Sequence, residues 1–385
     1  MKKILFIFNG ITKNNGKIGV SGGDVRLFEI IKNIKDFEKF ILTTPNGKKL
    51  IDEFQVKYKD SFEINYSVTS GIISNLKISI LSLFFLPKEL NSFNGYVYSS
   101  CEHIYDVLPA FRLKIFNNCK WFAVYHWVED YPWKEKRGNT PVIIRYVYWL
   151  NRWVSGTIIK YFSDEILAVS DQTRRKLIKI KKNNPNKVRA VYCGVEYEKI
   201  VHIISKYRNE RGEKYDAVFM KRLNYGKGIM DLLEIWKRVC LQKSNAKLAI
   251  IGDGPEDVVK KINDFIINNN LKKNIFFLGV IYDLEKKIRI LNSSKLFILP
   301  SHEENWAIVI GEAMAARLPV IAYSLKEITP IWKDNVAWVK TGNVKEFSKK
   351  ITQFLNNKQQ RESFARKAFR FIKNYDWKVI SSTEF

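Results

Sequence analysis

Short, continuous apolar runs alternate with longer amphipathic stretches along the whole of this 385-residue chain. KILFIFNG (3–10), KFILTT (39–44), GYVYSS (95–100), KWFAVYH (120–126), EILAVS (165–170) and VRAVYCG (188–194) read as strands. They lack the in–out alternation of a strand with one wet face, so they predict parallel strands covered on both sides. YRNERGEKYD (207–216) has the composition of a linker. The pattern then restarts with AVFMKRL (217–223), KLAIIGDG (247–254), NIFFLG (274–279), KLFILPS (295–301), PVIAYS (319–324) and NVAWVK (335–340), and closing helices begin near Val344. Strand–helix alternation of this kind predicts an α/β fold of two doubly wound, Rossmann-like domains facing each other across a cleft, with ligands beyond the carboxyl ends of the strands. The expected boundaries are an N-terminal domain over 1–205, a linker over 206–216 and a C-terminal domain over 217–365.

Composition narrows the classes. Apolar residues make up 46% of the chain, with 25 Phe, 18 Tyr and 10 Trp, enough to bury a core in each domain and to exclude general disorder. Lys and Arg total 65 against 39 Asp and Glu, a balance of +26 that favours an anionic partner: nucleic acid, an anionic membrane or a phosphorylated substrate. The four cysteines (Cys101, Cys119, Cys193, Cys240) have no CxxC spacing. That fits neither a disulfide framework nor a zinc site, and predicts a reducing, cytoplasmic location. The N-terminal MKKILFIFNG mimics a signal peptide, but its apolar run stops at Asn9-Gly10, shorter than a secretory core of roughly 7–15 residues. No window reaches the ~18 uncharged apolar residues of a membrane-spanning helix.

Three segments carry candidate chemistry. Gly22-Gly23 lies in the expected loop between the first strand and the helical pattern DVRLFEIIKNI, where glycines admit a ligand to the backbone and a helix start offers N–H groups to an anion. Arg222 and Lys227 flank a strand's carboxyl end and could grip a diphosphate. In PSHEENWAIVIGEAMAARLPVIAY (300–323), a strand runs into a loop with Glu303 and Glu304, followed by a helix holding Glu312. Eight residues of helix rise about 12 Å, so Glu304 and Glu312 are too far apart for a retaining-glycosidase dyad and suit a clamp on an elongated ligand. The free N–H groups of Asn305, Trp306, Ala307 and Ile308 would point at a phosphate between them.

This last segment resembles the signature of the group 1 retaining glycosyltransferases, family four of the sugar-nucleotide enzymes, with the GT-B fold. Glu304 and Glu312 fit the family's E-x7-E, followed by Ala313-Met314-Ala315 and Leu318-Pro319-Val320-Ile321-Ala322. Arg222-Leu223 through Lys227-Gly228 matches R-L-x-x-x-K-G, and Gly252 to Pro255 matches G-D-G-P. Gly22-Gly23 matches a double glycine, and His126 a histidine closing an N-domain strand. The resemblance implies that Arg222 and Lys227 bind the donor's diphosphate, with Gly22, Gly23 and Gly254 among the donor-binding residues. It further implies that Glu312 holds the ribose hydroxyls, Glu304 the transferred sugar, and that His126 lies beside the sugar and the acceptor hydroxyl. It implies a nucleotide-diphosphate sugar as donor substrate, no cofactor and no metal, and no DxD motif is present. It also implies a final helix over 366–385, expected to be short, that returns to the first domain.

The chain departs from the family where glycines are usual: Asn305 and Ala307 in place of the glycines of E-G-F-G, Lys221 before Arg222, and Arg317 before Leu318.

The aromatic helix pattern of 142–162 carries Arg145, Arg152 and Lys160 on one expected stripe, and 174–189 holds eight basic and no acidic residues. Basic charge beside Trp and Tyr suits the interface of an anionic bilayer, so peripheral association with the inner face of the cell membrane and a glycan or lipid-linked acceptor are expected. Glu129 and Asp130 are further acceptor-side candidates. The alternatives are a GT-B relative of other chemistry, such as an epimerase or phosphorylase, an inactive partner subunit, and a nucleic-acid-binding protein. No nucleic-acid module is visible, and none is expected as partner.

Overall fold

The computed structural model describes residues 1–9, 11–12, 20–64, 68–69, 81, 83–84, 86–128, 131–133, 142–207 and 214–385. Glu129, Asp130 and most of the expected linker therefore lie outside the described residues. Two compact units are formed, one by Met1–Cys193 with Ile380–Phe385, the other by Gly194–Val379.

The first unit is built on seven parallel strands: β1 (Lys2–Phe8), β2 (Phe37–Thr43), β3 (Asp60–Glu63), β4 (Tyr96–Ser99), β5 (Lys120–Tyr125), β6 (Glu165–Ala168) and β7 (Val188–Ala190). Their order is β3-β2-β1-β4-β5-β6-β7. Its helices include α1 (Gly22–Asn33), α2 (Pro45–Glu53), α3 (Ile104–Asn117), α4 (Val142–Phe162) and α5 (Asp171–Lys179). Ile4, Leu5, Phe6 and Ile7 are fully buried in succession, as a central strand sheathed by helices requires. Edge strand β3, DSFE, is polar and partly exposed, so no apolar run announces it.

The strand order reverses between β1 and β4, and side chains just beyond these two strands are locked together. Asp106, in the first turn of α3, is 1% exposed. It accepts hydrogen bonds from Asn9 Nδ2 (2.7 Å), Ser100 Oγ (2.7 Å) and Cys101 Sγ (3.0 Å). Burial pushes its carboxyl up to about 7.

Gly22 and Gly23 differ from expectation: they form the first turn of α1 rather than a loop. The reason is a capping box, in which Asp24 N–H donates to Ser21 Oγ (3.3 Å) and Ser21 N–H to Asp24 Oδ2 (2.6 Å).

The second unit has six parallel strands: β8 (Tyr215–Met220), β9 (Leu248–Ile251), β10 (Ile275–Gly279), β11 (Ser294–Leu299), β12 (Val320–Ser324) and β13 (Ala337–Lys340), ordered β10-β9-β8-β11-β12-β13. Its helices are α6 (Tyr197–Lys206), α7 (Ile229–Gln242), α8 (Glu256–Asn268), α9 (Leu284–Asn292), α10 (Ile308–Ala315), α11 (Thr329–Trp332), α12 (Val344–Asn356), α13 (Lys358–Ile372) and α14 (Trp377–Ser381). The division between units falls after Cys193, ahead of the linker expected at 206–216, because α6 packs with the second unit against α9 and α10. The expected break at 365/366 lies inside α13, whose buried Ala365, Ala368 and Ile372 keep it continuous. Only 380–385 join the first unit.

Candidate functional site

In the second unit, two loops meet at the carboxyl ends of the neighbouring strands β8 and β11. One follows β8 and carries Lys221, Arg222 and Lys227; the other follows β11 and carries Glu303 and Glu304. They are locked by backbone bonds from His302 N–H (2.9 Å) and Glu303 N–H (3.2 Å) to Gly226 O. Gly228 makes this possible. Its φ is +71°, and a Cβ there would lie 1.7 Å from Pro300 O, so no other residue fits.

Glu304 is the centre of the arrangement and is 5% exposed. Lys221 Nζ donates to its Oε2 at 3.0 Å, and Lys227 Nζ stands 3.5 Å from its Oε1 while donating to Glu303 O at 2.6 Å. Glu304 Oε1 itself is buried without a hydrogen-bond partner. Burial pushes the Glu304 carboxyl up, but Lys221 and Lys227 more than offset this and hold it below the usual carboxylate range. Burial pushes the Lys227 ammonium down, opposed by Glu304, and the Arg222 charge adds to the downward push. Arg222 is exposed, a cation placed beside this pair yet in water.

Glu312 stands midway along α10 and is paired with Lys287 Nζ of α9 at 2.6 Å. A half-buried carboxylate on an apolar helix demands such a partner. Gly254 packs against the β8 loop; a Cβ there would lie 2.1 Å from Leu223 O.

Of the run 305–308, Trp306 turns its ring into the core, 3% exposed and edge-on to Trp332 at 4.5 Å, so its side chain is not presented to a ligand. Helix α10 starts only at Ile308, with Ala307 as N-cap and no side-chain cap. Free helical N–H groups therefore begin at Ile308 rather than Asn305. Ala307 has φ +59° and Arg317 φ +58°: both glycine replacements keep a left-handed backbone.

In the first unit, the His126 ring lies against α1: a Cβ on Gly23 would come within 2.9 Å of its Cε1. His126 Nε2 is 3.0 Å from Ser100 O, and a carbonyl only accepts, so Nε2 carries the proton. Its backbone N–H donates to Glu102 Oε2 (2.9 Å), whose Oε1 accepts from Arg152 Nη1 (2.9 Å). Burial pushes the His126 imidazole below its ordinary value, which keeps the ring neutral near pH 7. His103, the neighbour of Glu102, is pushed down by burial to about 4.

The expected cationic stripe on α4 is corrected by this geometry. Arg152 points inward to the buried Glu102. Ile143, Tyr146, Val147, Leu150, Trp153 and Tyr161 recur at helical spacing and face solvent, opposite the buried Ser155 and Ile159. In 174–189, Arg174 is committed to Val188 O, Lys187 to Lys160 O and Arg189 to Glu165, while Arg175, Lys179 and Lys182 remain exposed.

The sequence motifs thus converge in part. Glu304, Lys227 and Arg222 share one site, with Glu312 further along α10; His126, Gly22 and Gly23 gather in the first unit. Lys287, Glu102, His103 and Arg152 went unrecognised as site residues, because partners brought together by the fold share no sequence spacing.

The family model for group 1 glycosyl transferases matches residues 202–371. An uncharacterised glycosyltransferase of Methanocaldococcus jannaschii is 28% identical over 233 residues, 57% of this chain and 53% of that protein. The capsular polysaccharide biosynthesis glycosyltransferase CapM of Staphylococcus aureus is 22% identical over 228 residues, 56% of this chain and 59% of CapM. The aligned stretches thus span little more than half the length of these relatives. HepE of Anabaena, solved in complex with UDP and glucose, superposes with a TM-score of 0.73 at 18% identity, over 99% of this chain and 98% of HepE, and so shares its α/β two-domain fold. The paired loops around Glu304 and the match to the group 1 glycosyl transferase model both fall in the second unit, within residues 202–371, and it is this part of the chain that is similar to the family.

Proposed function

We propose that the chain is a retaining, metal-independent glycosyltransferase that moves a sugar from a nucleotide-diphosphate sugar to a hydroxyl acceptor. The observation that carries this reading is Glu304 Oε1: a buried carboxylate oxygen with no hydrogen-bond partner, beside Lys227, with Arg222 exposed nearby. Such an oxygen suits a sugar hydroxyl, and the two cations suit a diphosphate. Glu312 would take the ribose, and the uncapped start of α10 a phosphate oxygen.

In the reaction the bond from the anomeric carbon to the diphosphate oxygen breaks, and a bond from that carbon to the acceptor oxygen forms on the same face. The acceptor's proton passes to the departing phosphate oxygen. The protein's share is positioning and stabilisation of charge on the leaving group by Arg222 and Lys227. The neutral ring of His126 would line the acceptor side. The left-handed backbone retained at Ala307 argues for a working loop and against an inactive subunit.

A lipid-linked or cell-surface glycan precursor is the acceptor class we infer. CapM belongs to capsular polysaccharide synthesis. The uncharged, aromatic outer face of α4 suits a bilayer interface, and Arg175, Lys179 and Lys182 suit its anionic headgroups. No helix among the described residues is long and apolar enough to cross a membrane, so the association would be peripheral, at the cytoplasmic face.

A thermal-shift panel of UDP-, GDP- and ADP-sugars tests the reading. Stabilisation by one nucleotide class, lost in Arg222→Ala and Glu312→Ala, is expected; no shift with any of them sinks it.

A further inference from the structure

We propose that Lys221 is a positioning residue for Glu304, engaging one carboxylate oxygen so that only the other is presented to the donor sugar. The inference rests on the donor-binding reading above and concerns a position where the family pattern has glycine.

Three observations carry it. First, Lys221 has little freedom. It directly follows β8, its backbone N–H donates to Ile251 O at 3.1 Å, and its carbonyl sits against Gly252, where a Cβ would come within 1.9 Å. Its ammonium is thus delivered from a fixed backbone, and its side chain is 17% exposed. Second, the contact is selective. Lys221 Nζ takes Glu304 Oε2 at 3.0 Å, leaving Oε1 with no hydrogen-bond partner and Lys227 Nζ at 3.5 Å. A carboxylate with both oxygens open could grip a vicinal pair of hydroxyls; this one accepts from a single hydroxyl. Third, the pairing is long-range, 83 positions apart in sequence, and joins the two loops that build the site. A glycine at 221 would leave Glu304 Oε2 without this charged donor, and a carboxylate held in one rotamer binds with less ordering cost.

Lys221 is therefore no second diphosphate ligand. Arg222 and Lys227 address the phosphates, whereas Lys221 acts on the sugar only through Glu304. The nucleotide and sugar parts of binding should respond differently to its removal.

Calorimetric titration of wild type, Lys221→Met and Lys221→Arg with UDP, GDP and ADP, and with UDP-glucose, GDP-mannose and ADP-glucose, reads this directly. In Lys221→Met, affinity for the nucleoside diphosphate stays within about twofold of wild type. Affinity for the sugar ester falls roughly tenfold, as expected for loss of a charge-assisted contact, and Lys221→Arg restores most of it. Equal loss for diphosphate and sugar ester, or no loss for the ester, overturns the proposal. Wild type binding no nucleotide at all overturns the donor-binding reading itself, and this proposal with it. A carbon-13 titration of the Glu304 side-chain carboxyl is independent of which sugar is used. Lys221 helps hold that carboxyl low, so its midpoint should rise in Lys221→Met and return in Lys221→Arg. An unmoved midpoint also overturns the proposal.

Discussion

Arg26 and Glu384 lie 358 positions apart and meet as an ion pair at 2.5 Å, both side chains removed from water. Tyr98 bridges them, accepting from Arg26 Nη1 at 2.9 Å and donating to Glu384 Oε1 at 2.7 Å. Arg189 holds the same segment by donating to Thr383 O and Glu384 O. The Phe385 ring fits beside Phe37 at 5.1 Å and Phe122 at 5.4 Å. Residues 380–385 are thus pinned to the unit that begins at Met1. Removing one member of a buried pair leaves an uncompensated charge, at a cost of about 3–5 kcal/mol. Glu384→Ala should therefore lower the first unit's melting temperature by roughly 10 °C. Arg26→Met with Glu384→Leu should recover much of that loss, as scanning calorimetry of both variants would show.

Two positions carry left-handed strain that glycine would relieve. Ala307 (φ +59°) is the N-cap of α10, and Arg317 (φ +58°) directly follows its C-cap, Ala316. A left-handed non-glycine residue costs about 1–2 kcal/mol, offset by the extra freedom glycine gives the unfolded chain, about 0.4–1 kcal/mol. Ala307→Gly should raise stability by about 0.5–1 kcal/mol. Arg317→Gly should gain less, because the guanidinium also lies over the Phe369 ring at 4.4 Å. Urea denaturation of each variant checks the order.

Asp106 predicts a pH dependence of definite sign. Its folded value, pushed up by burial to about 7, exceeds its unfolded value. Between the two, the folded state holds the extra proton. Its contribution to stability is present in acid and is lost as pH rises through about 7. Asp106→Asn cannot titrate. The melting temperature of wild type relative to Asp106→Asn should fall between about pH 4 and about pH 7 and level off above that, and a flat difference throughout would contradict the assignment.

The outer face of α4 makes a separable prediction. Leu150 and Trp153 are 52% and 49% exposed, so Leu150→Glu with Trp153→Glu should leave the melting temperature nearly unchanged. The same pair puts negative charge on the surface proposed to meet an anionic bilayer. Co-sedimentation with phosphatidylglycerol-containing vesicles at low salt should drop several-fold. Unchanged co-sedimentation would remove α4 from the membrane reading.

Much of the fold was legible from the chain. The twelve apolar runs, from KILFIFNG to NVAWVK, all became strands of the two parallel sheets; central strands such as β1 are buried on both faces and so apolar at consecutive positions, whereas the apolar run NIFFLG forms an edge strand that is partly exposed. Edge strand β3 was not legible: half in water, DSFE needs no such run. Of the candidate site, the residues at fixed spacing, Glu304 to Glu312 and Arg222 to Lys227, could be named from the chain. The site was not legible where a partner arrives from another element. Lys287 is one of two adjacent lysines in LEKKIRI, and only the fold, which brings α9 beside α10, makes it the counter-ion of Glu312.

The sequence by itself determined the two-fold repetition of strand–helix units and the family motifs, since periodicity and spacing are properties of the linear chain. Tertiary structure alone decided which charges neutralise one another. Arg152 reads as part of a surface stripe with Arg145 and Lys160, but it serves the buried Glu102. Lys221 reads as a lost glycine, but it holds Glu304. Arg26 and Glu384 carry no local signal at all. A charge finds its partner through space, and the desolvation that makes the pairing matter exists only once the chain has folded around it.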